Sequence, residues 1–102
     1  MQTSDLRRIV QEDGIRWTLH ATDEAAAEAI AQEDAAAALQ TLEIIEDYPT
    51  AHYGAASLVL VQSAAGPLHM VLGHAVRPVA VVTIYRPNLR PEEWTSDFRH
   101  RI

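Results

Sequence analysis

Histidine and arginine are the side chains of this sequence best suited to chemistry. There are five histidines and eight arginines, with neither lysine nor cysteine. Imidazole moves protons near neutral pH, and guanidinium forks onto phosphate or carboxylate. His20 closes an alternating stretch just before a helical one, and a helix N-terminus is a place where anions bind. His69 and His74 lie five apart in a strand-like run, so they point to opposite faces. No nearby acid completes a site, so no metal is expected. No phosphate-cradling glycine loop and no nucleophile elbow is present, and Ser57 and Ser63 have no evident base. Without cysteine there is no disulfide scaffold, thiolate zinc site or thiol nucleophile.

Charge narrows the partners. The chain has 102 residues and a net charge of −6, but residues 1–50 carry −8 and residues 51–102 carry +2. The acidic half repels phosphate backbones, which argues against generic nucleic-acid binding while leaving room for one basic pocket in the second half. The missing lysine reads as genome composition. No apolar run approaches the length of a membrane span, and residues 1–5 lack a basic-then-apolar leader. The expectation is a single cytoplasmic domain over residues 1–102, with no membrane association.

The elements that must position these groups follow from periodicity. Ser4 to Asp13 reads as a short helix stopped by Gly14. Ile15 to His20 alternates, predicting a strand with Ile15, Trp17 and Leu19 inward. Thr22 is the expected cap of a helical region rich in alanine, divided into helices over 22–31 and 33–46. Ala35, Ala38, Leu39, Leu42 and Ile45 form its apolar stripe. After Pro49 the period changes. Ser57 to Ser63, Leu68 to Val76 and Val79 to Tyr85 predict three strands joined by turns at 65–67 and 77–78. Their central residues are apolar on both faces, so a second cover is expected from the C-terminal segment or a partner chain. Pro91 suits the first position of a short helix, with Trp94 and Phe98 anchoring it on the sheet.

Particular residues carry a resemblance. Thr18-Leu19-His20-Ala21, Glu43 to Pro49, Gly66 to Leu72, and Val82 to Pro87 with Trp94, Asp97-Phe98 and Arg99-His100-Arg101 resemble the DUF4258 family. That family looks related to the RelE/ParE-like ribonuclease toxins. The resemblance implies an α+β fold, with two helices packed on an antiparallel four-stranded sheet, RelE-like, and short terminal helices. It also implies a metal-independent ribonuclease toxin of a type II toxin–antitoxin pair, needing no cofactor. The expected partners are RNA and a zinc-ribbon antitoxin of the YgiT type.

Such a ribonuclease activates a 2′-hydroxyl, stabilises charge on phosphorus and protonates the leaving oxygen. The candidate catalytic residues are His20, Arg86 and Arg99. Arg77, Trp94 and Arg101 are the candidate RNA contacts, with Trp94 stacking a base. The chain departs from the family where members typically carry arginines after the His-Ala pair. Here Thr22 to Ala29 holds acids and alanines, including Glu24 and Glu28. That departure motivates the alternative expectation, a non-catalytic interaction module forming a homodimer or binding a protein partner. In that reading Glu24 and Glu28 are either a solvated face or a surface awaiting a basic partner.

Overall fold

The computed structural model describes residues 1–52 and 54–102. The helices are α1 (Thr3–Asp13), α2 (Leu19–Ala27) and α3 (Gln32–Ala38). The strands are β1 (Ile15–Trp17), β2 (Glu43–Tyr48), β3 (Ala56–Ser63), β4 (Gly66–Gly73) and β5 (Val79–Tyr85). They form one sheet in the order β1-β5-β4-β3-β2. The β2–β3, β3–β4 and β4–β5 pairs are antiparallel, and β1 lies parallel to β5. The fold is therefore α+β, but with three helices and a five-stranded mixed sheet instead of two helices on four antiparallel strands.

Three local causes explain the difference. Gly14 ends α1 at φ 75°, a conformation that glycine adopts without a Cβ clash. Strand β1 then lasts only three residues, because Thr18 turns the chain. Its hydroxyl accepts the Ala21 N–H at 3.1 Å and donates to the Val81 carbonyl at 2.8 Å. Thr18 is thus the cap expected at Thr22, and Leu19 faces solvent at 78% exposure instead of pointing inward.

The helix expected over 33–46 stops at Ala38, followed by a 3-10 turn over Leu39–Thr41. The Thr41 hydroxyl donates to the Ala38 carbonyl at 2.7 Å and accepts the Gln62 N–H at 2.8 Å, tying this turn to β3. Residues 43–48 become a strand because β3 supplies partners for their backbone and Ile44 reaches the core. Tertiary pairing overrides local propensity here.

The C-terminal segment forms no helix at Pro91. It makes a 3-10 turn at Pro87–Leu89 and folds back on itself around residues 95–98. Asp97 fixes that reversal by accepting from the Thr95 hydroxyl at 2.7 Å and the Arg99 N–H at 3.1 Å. Strand β4 also runs over Gly66–Gly73, earlier than the expected 68–76.

The helices cover one face of the sheet. Leu6, Leu42, Met70, Leu72, Val81 and Ile84 are fully enclosed there, each contributing about 1.5–3 kcal/mol of burial. Ile30 and Leu39 join them as expected, while Ile45 is only half-buried in β2. Residues 86–102 cross part of the other face, where Trp94 is 3% exposed. The second cover expected for the strands is thus supplied by the C-terminal segment.

Candidate functional site

The uncovered part of that second face holds a cavity of about 350 Å³ beside β1 and β5. Its position follows from alternation. Ile15 and Trp17 pack towards the helices, so Arg16 between them points to the other face. Arg16, Thr18 and His20 line one side. Gly73, Ala80 and Val82 form an apolar floor, and Ala75 and Val76 close the far wall. Gly54 lets that wall approach closely, since a Cβ there would stand 2.8 Å from the Ala75 Cβ.

His20 occupies the first turn of α2 instead of the end of a strand. Its Nε2 lies 3.3 Å from Glu24 Oε1. Among the described residues, Arg16 has no carboxylate or carbonyl partner, and it is the arginine that shares a cavity with His20. Sequence reasoning passed over Arg16 as the polar member of an alternating strand. The signal was the alternation of Arg16 with Ile15 and Trp17, which turns Arg16 to the opposite face, while Thr18 and His20 reach the cavity from the start of α2.

The other singled-out residues lie elsewhere. Arg99 donates to both Glu43 oxygens, at 2.7 and 3.2 Å, and Arg101 to both Glu46 oxygens, at 2.7 and 3.1 Å. Both acids belong to β2, four strand spacings (about 19 Å) from β1. Glu43 and Glu46 share a face, though three apart, because a bulge intervenes between Ile44 and Glu46. Arg86 donates to the carbonyls of Glu28, Ala29 and Ala65, at the end of α2 away from His20. Arg77 pairs with Asp13 at 3.1 Å, in the loop whose Ala75 and Val76 border the cavity. Trp94 is buried against His69, with the Arg101 guanidinium 4.6 Å from its ring centre.

Glu24 and Glu28 have a structural task. Beyond Val81, β5 loses β1 as a neighbour and α2 takes its place. Glu24 accepts the Ile84 N–H at 3.1 Å and Glu28 accepts the Arg86 N–H at 2.8 Å. Two carboxylates one helical turn apart thereby satisfy the exposed edge of the strand. Glu28 also receives Arg90 at 3.0 Å. Burial alone raises the Glu28 pKa, but the Arg90 and Arg86 donors together with their charges bring it below its ordinary value. These acids are neither a simple solvated face nor a vacant surface for a basic partner.

Two histidine arrangements escaped sequence reasoning. His69 is fully buried, with Nδ1 3.0 Å from the Tyr85 hydroxyl and Nε2 2.8 Å from the Phe98 carbonyl. Burial lowers its pKa and pushes that of Tyr85 up to about 12. The second arrangement joins His74 Nε2, Ser57 Oγ and Asp47 Oδ1 at 3.0 and 2.6 Å. Ser57 donates to Asp47, so its oxygen accepts from His74. The imidazole is therefore not acting as a base towards this hydroxyl, and Ser57 is fully buried. Among the described residues, no three histidines or acids are grouped to hold a metal ion, and no helix is long and apolar enough to cross a membrane.

The family model for DUF4258, a domain of unknown function, matches residues 17–86. This is more than half of the chain, and the chain belongs to that family. The matched span holds His20, Arg77 and Arg86, while Trp94, Arg99 and Arg101 lie beyond it. No curated protein and no solved structure matches.

Proposed function

We propose that this chain acts as a non-catalytic interaction module of the DUF4258 family. The observation that carries this reading is the state of its guanidinium groups. Arg77, Arg90, Arg99 and Arg101 each face a carboxylate within the molecule, and Arg86 is held by three carbonyls. A ribonuclease of this kind needs such cations for phosphate, both to bind and to stabilise the transition state. The net charge of −6 works in the same direction. Co-expression with the protein encoded next to it, followed by size-exclusion chromatography, tests the proposal. A stable homodimer or stoichiometric complex is expected. A strict monomer that retains no partner overturns it.

One observation favours a second reading, the metal-independent ribonuclease toxin paired with a zinc-ribbon antitoxin. His20 and Arg16 meet in one cavity, providing a proton carrier and a charge stabiliser. In that reading, inducing the chain in bacteria arrests growth, and His20→Ala or Arg16→Met relieves the arrest. Normal growth at high expression, with RNA left intact in vitro, removes it.

A further inference from the structure

We propose that the cavity on the sheet face beside β1 and β5 binds an apolar carboxylate, meaning a small hydrocarbon body that ends in one carboxylate group. This goes beyond both functional readings, since it concerns a ligand that neither requires.

The charge of the rim gives the first argument. Arg16 and His20 line the cavity, and among the described residues no acidic side chain does. On a chain of net charge −6, that local polarity favours an anion at this place. Arg16 has no internal partner among the described residues, so its two-pronged donor set is open to a carboxylate. Glu24 holds the imidazole of His20 through Nε2 at 3.3 Å. Nδ1 is left without a partner among the described residues and, in the doubly protonated ring, carries an N–H that can serve as a second contact. The Thr18 hydroxyl is already engaged by Ala21 and Val81, so it contributes shape instead of a hydrogen bond.

The floor gives the second argument. Gly73, Ala80 and Val82 present no polar side-chain atom. A phosphate seated there would lose water from several oxygens with nothing to replace it. A hydrocarbon body loses only unfavourable hydration. Size gives the third. A volume of about 350 Å³ sits at the small end of ligand pockets, which span about 300–1,000 Å³. A body of a few carbons fits in it.

Two sources share this chemistry, a free short-chain acid and the C-terminus of a polypeptide. Amide NMR of the full chain separates them. The probes are 4-methylpentanoate, 4-methylpentanamide, inorganic phosphate and the peptide acetyl-Ala-Ala-Leu with a free carboxylate. The acid is expected to give saturable shifts at Gly73, Ala75, Ala80 and Val82, and the amide to bind at least about tenfold more weakly. Arg16→Met is expected to lose about tenfold in affinity with an unchanged melting temperature. Ala80→Val, which fills the floor, is expected to abolish binding. Tighter binding of the peptide than of the acid supports the proposal and assigns the ligand to a polypeptide terminus. Weaker binding of the peptide supports it and assigns the ligand to a free acid. No saturable shift up to about 10 mM overturns the proposal, where affinity would be under about 3 kcal/mol. Equal binding of the amide or of phosphate, or wild-type affinity in Arg16→Met, overturns it as well. Success or failure here leaves the co-purification test of the interaction module untouched, because that test reads assembly and not this cavity.

Discussion

The second face of the sheet has two ends built on opposite principles. At one end, residues 86–102 lie over β2, β3 and β4, and three of their arginines meet carboxylates. Arg99 meets Glu43, Arg101 meets Glu46, and Arg90 reaches across to Glu28. Aromatic packing fills the space between them, with the His69 ring 4.4 Å from Trp94 and 5.2 Å from Tyr85, both edge-on. At the other end, Arg16 and His20 border a cavity with an apolar floor. The arginines of the first region hold the chain together, while Arg16 in the second has no internal partner among the described residues. Counting arginines in a sequence does not distinguish these roles. Their carboxylate partners do, and those partners sit more than fifty residues away.

Substitutions at the two ends should therefore behave differently. The largest effect is expected from His69→Ala. It removes a ring from between Trp94 and Tyr85 and strands the Phe98 carbonyl. Urea denaturation should register a loss of about 3 kcal/mol. A loss well below 1 kcal/mol would mean that the C-terminal segment is only loosely laid on the sheet. Glu28→Ala comes next, at about 1–3 kcal/mol, since the Arg86 N–H and the Arg90 guanidinium both lose their acceptor.

Acidification should weaken the packed end in two stages. Burial lowers the pKa of His69, so the unfolded chain takes up its proton first. The stability this neutral ring contributes is complete above the ordinary value of 6.5 and declines as pH falls towards the folded value. His74, also depressed by burial, acts in the same window. The Arg99 hydrogen bond is foremost in lowering Glu43, while at Glu46 burial opposes the stronger combined pull of Arg101 and Tyr48. Their stabilisation is present above the ordinary carboxylate value of 4.5 and is lost as pH falls through the depressed folded values. Melting temperature against pH should thus begin to fall below about 6.5. In His69→Gln the slope between about 6.5 and 5 should be shallower, with the steeper loss below 4.5 retained.

The smallest stability effect belongs to the open end. Arg16→Met and His20→Gln should each melt within about 0.5 kcal/mol of the parent chain. A large destabilisation by either would erase the distinction between the two ends.

Helix α1, strands β3 and β5, and the need for a second cover over the sheet were legible in the sequence. The apolar runs of β3 and β5 are long, and α1 carries its apolar side chains on one side and is stopped by Gly14, so local pattern and final structure agree. Residues 43–48 were not legible, because Glu43-Ile44-Ile45-Glu46 suits a helix as well as a strand until β3 supplies its partners. The cap at Thr18 depended on the Val81 carbonyl, sixty-three positions away. His20 was singled out in the sequence and Arg16, which lines the same cavity, was not, because a polar residue in an alternating strand carries no mark of being unpaired. Arg99 and Arg101 stood out for their charge, which is the property that Glu43 and Glu46 neutralise.

Fluorescence anisotropy of a labelled single-stranded RNA, titrated with the full chain over a series of salt concentrations, addresses the distinction most directly. If the arginines of the C-terminal segment are internal fasteners, no saturable binding develops at physiological salt, and Arg99→Gln with Arg101→Gln changes melting but not anisotropy. Saturable binding that weakens steeply with salt, and weakens further in that double variant, would contradict the account.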